Sequence, residues 1–166
     1  INLLEYFNNT VSSIPEKPAI IDGTKKMSFS ELQRRSLIIS QTIISSNNSI
    51  NKPIAVYLPK SIESICSNMG ISYSGNIYMN LDTKTPLERI KHILSLIQPH
   101  VLITNDVYLN SISQICPVGT IILNIDHVNY DVKVDQELVN SRLAKLIDSD
   151  PYCIINKSGS TGTPKS

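Results

Sequence analysis

The sequence predicts an α/β fold, with layered sheets and helices packed on them. Three observations lead to this prediction. Strand candidates alternate with helix candidates along the chain, which is the order that produces largely parallel sheets. The 166 residues are enough for one domain with its own core. A composition of 41% hydrophobic and 17% charged residues is that of a globular protein.

The first elements are a helix and a hairpin. Amphipathic spacing predicts a helix over residues 3–11, ahead of Pro15. Residues 19–21 and 26–29 are strand candidates, and Asp22 and Gly23 between them form a turn sequence. We therefore expect these two strands to pair near the start of the chain.

A capping signal opens the next helix. Ser28 followed by Glu31 is a capping box, in which each side chain satisfies a free backbone N–H of the other residue. The predicted helix continues to about Ser45. Its buried stripe consists of Leu32, Ser36, Ile39 and Ile43.

A strand and a further helix follow at 54–58 and from about Ser61, separated by Pro59. The apolar repeat of this helix is Ile62, Cys66, Met69 and Tyr73. Its small residues, which we expect to let it lie close to a sheet, are Ser67, Gly70 and Ser74. Gly75 is the expected C-terminal cap.

The next unit is a strand at 77–81 and a helix that ends at Gln98 and Pro99. Thr85 and Glu88 form a second capping-box sequence, with Pro86 at the first helical position. The predicted buried stripe of this helix is Leu87, Ile90, Leu94 and Ile97.

The remaining elements continue the alternation. Strand candidates lie at 101–104 and 120–125, with a short helix at 107–115 between them. A helix is predicted at 136–147, and a last strand at 152–156.

Composition and spacing exclude several function classes. Lys and Arg are scattered and the formal net charge is +1, so we expect no nucleic-acid partner. No apolar run approaches the roughly eighteen residues of a membrane span, and the first residues do not resemble a signal peptide. We therefore expect a cytoplasmic protein with no membrane partner.

Neither the cysteines nor the histidines indicate a metal site. The cysteines are Cys66, Cys116 and Cys153, and their odd number, wide separation and apolar surroundings predict reduced core residues. The histidines are His92, His100 and His127, which share no ligand spacing.

The most informative segment for chemistry is 157–166. Gly159 and Gly162 let the backbone approach a ligand closely. The hydroxyl residues beside them are Ser158, Ser160, Thr161 and Thr163. Successive backbone N–H groups in such a turn form a nest for phosphate oxygens, and Lys165 adds positive charge. The pattern therefore predicts a nucleotide phosphate site.

Two other interpretations of this segment stay open. A run of small residues is also typical of a surface turn. Residues 159–166 nearly match the P-loop of nucleoside triphosphatases, but Pro164 stands where that motif has its second glycine. Because proline lacks an N–H and fixes its own φ, it disfavours this alternative.

Asp150 and Pro151, an apolar strand and then Ser-Gly-Ser-Thr-Gly-Thr-Pro-Lys resemble the signature loop of the adenylate-forming superfamily. That superfamily includes nonribosomal peptide synthetase adenylation domains, acyl-CoA synthetases and luciferases. Residues 27–32 are similar to its first core motif, and residues 74–82 to its second. Residues 86–89, Pro-Leu-Glu-Arg, resemble the Pro-x-Glu-Arg of amino-acid-activating members. The chain is thus identified as most similar to a nonribosomal peptide synthetase adenylation domain.

This resemblance implies a reaction. Members of the family bind ATP with Mg²⁺, and the substrate carboxylate attacks the α-phosphorus to give an acyl-adenylate and pyrophosphate. The acyl group then passes to a thiol, which in peptide synthetases is the phosphopantetheine of a carrier protein. The substrate implied here is an amino acid or another carboxylic acid.

The resemblance also implies roles for particular residues. The cofactor-binding residues that hold the departing phosphates are Ser158, Gly159, Ser160, Thr161, Gly162 and Thr163. Lys165 is the expected catalytic residue, because it can compensate the charge on the pyrophosphate. The first two motifs contain no group that reaches a substrate, so we expect them to be structural and Asp82 to be a turn residue.

By the same resemblance, residues 1–166 are the N-terminal portion of the large domain of an adenylation domain, truncated at the phosphate loop. The Mg²⁺ ligand, the substrate pocket and the nucleoside contacts are expected downstream. The rest of that domain is consequently a partner, and the fragment alone is expected to be inactive.

The sequence departs from the family pattern at Tyr73, Asn80, Asn156, Lys157 and Ser166. These departures keep open a non-catalytic remnant or scaffold of the same fold. An acyl-CoA synthetase-like ligase is the other alternative within the family.

Overall fold

The computed structural model describes residues 3–23 and 25–147, and every structural statement below concerns these ranges. The helices are α1 (Leu3–Ser13), α2 (Phe29–Ser46), α3 (Ile62–Tyr73), α4 (Leu87–Ile97), α5 (Asp106–Ser113) and α6 (Gln136–Ile147). The strands are β1 (Pro18–Asp22), β2 (Lys25–Ser28), β3 (Pro53–Tyr57), β4 (Ile77–Leu81), β5 (Val101–Thr104) and β6 (Ile121–Asn124). None of the helices in these ranges has the length and apolar character that a membrane span needs.

Four parallel strands form the central sheet, in the order β4-β3-β5-β6. Ile54 of β3 pairs with Tyr78 of β4 on one side and with Val101 of β5 on the other. Strands β1 and β2 form a separate antiparallel pair. The structure confirms both the predicted α/β fold and the predicted hairpin.

Helices cover both faces of the sheet. Side chains alternate along β3, so Ile54 and Val56 face α2 and α3, while Ala55 and Tyr57 face α4 and α5. We call these the α2/α3 face and the α4/α5 face. Ile103 and Leu102 of β5 divide between the two faces in the same way. The sheet thus separates two apolar clusters, one on each face. Each connection between neighbouring parallel strands crosses one of these two faces.

Gly70 brings α3 against α2 rather than against the sheet. A Cβ atom at Gly70 would lie 2.6 Å from Cγ2 of Ile39 and 3.0 Å from the carbonyl oxygen of Ser36. The prediction that small residues let α3 lie close to the sheet was therefore wrong for Gly70. Its surface faces the neighbouring helix, because α2 occupies the same side of the sheet.

The predicted capping boxes form only in part. Ser28 Oγ accepts the N–H of Glu31 at 3.2 Å, as expected. The Glu31 carboxylate, however, accepts hydrogen bonds from Arg34 and Arg35 instead of reaching back to Ser28. The guanidinium of Arg34 thereby lowers the pKa of the Glu31 carboxyl.

The capping box predicted at Thr85 was wrong. Helix α4 begins at Leu87, and Pro86 at its N-cap makes no side-chain hydrogen bond. A complete box occurs instead at Ser61 and Ser64, where each side chain bonds the other's backbone N–H, at 3.2 and 2.9 Å. The sequence does not indicate this box, because the residue three positions after the cap is Ser64, whereas the usual signal there is Glu or Gln.

Helix α3 ends as its glycine predicts. Gly75 has φ +83°, in the left-handed region that favours glycine. The N–H of Asn76 bonds the carbonyl of Ile71 at 3.1 Å, and the N–H of Gly75 bonds the carbonyl of Ser72 at 3.0 Å. This is a Schellman ending, which satisfies the last carbonyl groups of the helix and leads directly into β4.

Other boundaries agree with the sequence to within about two residues, the usual uncertainty of helix and strand ends. One buried-stripe prediction was wrong, since Leu87 is 40% exposed at the start of α4, whereas Ile90 and Leu94 are buried. The strand predicted at 152–156 lies outside the described residues.

Candidate functional site

The four parallel strands end at one edge of the sheet, where open α/β sheets bind their ligands. Strand β3 is followed by Leu58 and Pro59, β4 by Asp82, β5 by Asn105, and β6 by a short 3₁₀ turn at Ile125–His127. These connections bring polar groups from distant parts of the sequence to a common edge. We call it the carboxyl edge.

Asp82 shapes the connection after β4. Its Oδ1 accepts the N–H of Lys84 at 2.9 Å, and its carbonyl oxygen accepts the N–H of Thr85 at 3.0 Å. This arrangement is an Asx turn, which confirms the prediction that Asp82 is a turn residue. The turn leaves the side chain of Lys84 exposed at the edge.

A groove of about 910 Å³ runs between β4 and α4 from this turn. Met79 and Leu81 contribute the strand side, and Ile93 and Ile97 contribute the helix side. Lys84 and Arg89 place positive charge at the end where α4 begins. The groove therefore combines apolar walls with a charged mouth at the carboxyl edge, where Asp82 lies with these two cations.

A second polar group joins the ends of β5 and β6. Oδ1 of Asp106 accepts a hydrogen bond from Nδ2 of Asn124 at 2.7 Å and lies 3.0 Å from Nε2 of His127. The N–H of Asp106 donates to Oδ2 of Asp126 at 2.8 Å. The hydrogen bond from Asn124, followed by that from His127, lowers the pKa of the Asp106 carboxyl.

This group was not anticipated from the sequence, because its members are about twenty positions apart and only the sheet brings them together. Its side chains are largely exposed, 59% for Asp106 and 70% for His127. They orient the two loops at the carboxyl edge. Asn105 beside them caps α5, since its side chain accepts the N–H of Tyr108.

The described cysteines are suited to packing rather than to chemistry. Burial raises the pKa of the Cys66 thiol to about 12, and Sγ lies 3.8 Å from Sδ of Met27. Burial also raises the pKa of Cys116, which is half-buried. Because the thiolate is the nucleophile, neither residue is a candidate for catalysis. Both agree with the prediction of reduced core residues, and Cys153 lies outside the described ranges.

Two of the departures from the family pattern are visible. Tyr73 is buried where α3 meets α1, and its hydroxyl donates to Oδ1 of Asn8. Burial raises the pKa of this hydroxyl to about 12. Asn80 lies exposed on β4. Tyr73 thus packs in the core, and Asn80 lies on β4, the strand that borders the groove.

All residues predicted to hold the phosphates lie outside the described ranges. They are Ser158, Gly159, Ser160, Thr161, Gly162, Thr163 and the predicted catalytic residue Lys165. Asn156, Lys157 and Ser166 lie outside these ranges as well. The structure therefore describes the sheet and the motifs upstream of the predicted loop, and the assignment of the loop stays a prediction.

An open parallel sheet, helices on both faces and a polar carboxyl edge define a doubly wound α/β domain. Comparison with known proteins gives the family. The sequence profile of the AMP-binding enzyme family matches residues 7–166, and the chain belongs to this family.

Curated relatives include very large synthetases. The chain is 27% identical over 164 residues to delta-poly-L-ornithine synthetase of Acinetobacter baumannii (strain AB307-0294). The aligned region covers 98% of the chain and 12% of that protein. It is 23% identical over 166 residues to tyrocidine synthase 1 of Brevibacillus parabrevis, covering 97% of the chain and 14% of that protein. The chain thus spans about an eighth of the length of these relatives.

Solved structures with a similar fold include nonribosomal peptide synthetases. The synthetase FmoA3 (S1046A), in its α-methyl-L-serine-AMP bound form, aligns with a TM-score of 0.74 at 20% identity, covering 81% of the chain and 15% of that protein. The four-domain synthetase holo-AB3403, bound to AMP and glycine, aligns with a TM-score of 0.73 at 18% identity, covering 86% of the chain and 10% of that protein. At this identity the likeness shows the fold.

Proposed function

We propose that the protein uses ATP and Mg²⁺ to convert an amino acid into its aminoacyl-adenylate, and then transfers the aminoacyl group to the phosphopantetheine thiol of a carrier protein. The observation that carries this proposal is the match of the AMP-binding enzyme family over residues 7–166, a span that includes the predicted phosphate loop. The synthetase relatives and the structural neighbour bound to an amino-acid adenylate support an amino acid as the substrate.

In this proposal the loop acts by position and charge. The substrate carboxylate displaces pyrophosphate from the α-phosphorus, so negative charge builds on the leaving group. Backbone N–H groups and hydroxyls of residues 158–163 hold the departing phosphates, and the ammonium of Lys165 compensates their charge. The Asp82 carboxylate accepts a hydrogen bond within its own turn, and the Asp106 carboxylate is engaged by Asn124 and His127 from the end of β6, so we do not assign the Mg²⁺ ligand to them.

The test is amino-acid-dependent exchange of labelled pyrophosphate into ATP by the intact natural protein. Each proteinogenic amino acid is supplied in turn, together with representative aryl and fatty acids. We expect exchange with one or a few amino acids and none with the other acids, because the acyl-adenylate forms reversibly only with an acid that fits the pocket.

Two other results would replace the proposal. Exchange with a fatty or aryl acid alone would identify an acyl-CoA synthetase-like ligase. No exchange with any acid, by a protein whose melting curve shows that it is folded, would favour the non-catalytic scaffold that the departures at Asn156, Lys157 and Ser166 suggest.

A further inference from the structure

The chain between β6 and α6 lies against α2. Val128, Tyr130 and Val134 are half-buried there, whereas the other side chains of residues 128–135 are exposed. Val134 packs with Leu37 of α2, and Val128 and Tyr130 pack against the larger core cluster on the α2/α3 face. We call residues 128–135 the strap.

Gln41 of α2 binds the main chain of the strap with both ends of its side-chain amide. Its Nε2 donates to the carbonyl oxygen of Lys133 at 3.3 Å, and its Oε1 accepts the N–H of Asp135 at 2.6 Å. A carbonyl and an N–H two residues apart are the groups that a neighbouring strand binds on one side of an extended chain. The Gln41 amide therefore takes the place of one peptide group of such a strand.

Two arginines hold the other end of the strap. The guanidinium of Arg34 donates to the carbonyl oxygen of Tyr130, and the guanidinium carbon of Arg35 lies 4.8 Å from the centre of the Tyr130 ring. Glu31 accepts hydrogen bonds from both arginines and keeps them in position. Because residues seven apart lie on the same face of a helix, Arg34 and Gln41 hold the strap from one face of α2.

Asp135 connects the strap to α6. Its N–H is the one that Gln41 accepts, and its Oδ1 accepts the N–H of Leu138 in the first turn of α6 at 3.1 Å. A side-chain oxygen in this role stabilises the start of a helix. Helix α6 also packs against α2 and α3, the helices on which the strap lies. The position of the strap and that of α6 are therefore linked.

The polar contacts of the strap are exposed to solvent. Both hydrogen bonds of Gln41 are exposed, and the side chain of Arg34 is 42% exposed. Exposed contacts of this kind contribute little to stability, because water replaces them when they break. In β5, by contrast, Val101, Leu102 and Ile103 are fully buried. Opening of the strap and α6 should therefore require less free energy than unfolding of the sheet.

We propose that residues 128–147, the strap and α6, detach from α2 and α3 as one unit while the sheet stays folded, and that Gln41 is the clasp that sets how often this unit opens. The open state uncovers Leu37 and Tyr73, which the closed strap covers through Val134. This motion goes beyond the proposed function and does not depend on it.

Amide hydrogen exchange in the intact natural protein tests the proposal. The amides of residues 140–147 are informative, because they are bonded within α6 and lie outside the contacts of Gln41. Their slowest exchange should be faster than that of β3 and β5. Gln41→Ala should accelerate it by about tenfold, the effect of losing two hydrogen bonds of modest strength. Exchange in β3 and β5 should stay unchanged.

Arg34→Ala provides a second variant at the other end of the strap. It removes the hydrogen bond to the Tyr130 carbonyl, so it should accelerate exchange of the same α6 amides by roughly threefold to tenfold. The matched control is Gln33→Ala on the same helix, because Nε2 of Gln33 donates to Oδ1 of Asn8 in α1 at 2.8 Å. This control should accelerate exchange in α1 and leave α6 unchanged.

Three results would overturn the proposal, each in proteins whose melting curves show that they are folded. The first is equal protection of α6 and of β3 and β5 in the natural protein, since α6 would then open only with the sheet. The second is an effect of Gln41→Ala that is confined to residues 135–139, which would make Gln41 a local contact. The third is an equal acceleration of α6 by Gln33→Ala and Gln41→Ala.

Discussion

At the residue scale, the contact between Gly70 and Ile39 sets how closely α2 and α3 approach. The nearest atoms to a Cβ at Gly70 are Cγ2 and Cβ of Ile39, at 2.6 and 2.8 Å. A β-branched side chain has little freedom to move away from such a contact. The backbone oxygen of Ser36 closes the third side at 3.0 Å. Either the helices separate or the side chain of Ile39 leaves its preferred position.

Gly70→Ala should therefore destabilise the α2–α3 pair by about 1–3 kcal/mol, the usual cost of overpacking a core. The measurement is hydrogen exchange of peptides from the two helices in the natural protein, where about 1.4 kcal/mol corresponds to tenfold faster exchange from opened states. Gly119→Ala is the matched control, since a Cβ there meets nothing within 4 Å. Equal effects of the two substitutions would contradict the packing described here.

The same glycine illustrates what the sequence can predict about a single residue. Small side chains on a helix indicate that another element packs closely against it, and α2 does pack closely against Gly70. The partner is not encoded locally, because α2 and α3 cover the same face of the sheet, and α3 therefore has two apolar neighbours that a small residue could face. The Asp106–His127 contact is a second case, since its residues meet only through the pairing of β5 with β6.

At the element scale, helix starts depend on the hydrogen bonds that their first N–H groups find. Helix α3 begins with the reciprocal pair of Ser61 and Ser64. Helix α4 begins at Leu87 with Pro86 as its N-cap and without a side-chain cap, although Thr85 and Glu88 have the spacing of a capping box. The fixed φ of proline favours the start of a helix, and because Leu87 and Glu88 are exposed, water can satisfy their backbone N–H groups in place of a capping side chain.

Ser61→Ala should consequently destabilise the first turn of α3 by about 1 kcal/mol, as the loss of an N-cap usually does. Thr85→Ala should leave the first turn of α4 unchanged. Both are measured by amide exchange of the helix-start peptides, with Ser61→Asp as a variant that restores a capping oxygen. Loss of protection in α4 on Thr85→Ala, equal to that in α3 on Ser61→Ala, would show that Thr85 caps its helix after all.

At the scale of the whole molecule, the sequence predicted the elements and the fold class better than their arrangement. Periodicity and capping are local signals, and helix α6 and strand β5 have the boundaries that the sequence predicts. The strand order and the packing of α6 against α2 and α3 depend on contacts between distant segments. For the phosphate loop the sequence is more informative than the structure. A short run of residues indicates its chemistry, and the structure describes only the sheet that precedes it.

The two lysines at that loop, Lys157 and Lys165, allow the most direct test of the proposed function. Lys165 matches the family pattern and is expected to compensate charge on the departing pyrophosphate, whereas Lys157 replaces a threonine that offers only a hydroxyl. Removal of a preorganised charge partner of this kind lowers the rate roughly tenfold to a thousandfold. Lys157→Thr should be mild, or beneficial if the ammonium at 157 binds ATP more tightly than the transition state.

The decisive measurement is the rate constant of aminoacyl-adenylate formation at saturating ATP in Lys165→Ala and Lys157→Thr, each in the intact natural protein and with its melting curve recorded. We expect Lys165→Ala to slow adenylation by at least about tenfold and Lys157→Thr to change it by much less. A larger loss on Lys157→Thr than on Lys165→Ala, with both proteins folded, would contradict the assignment of the phosphate loop.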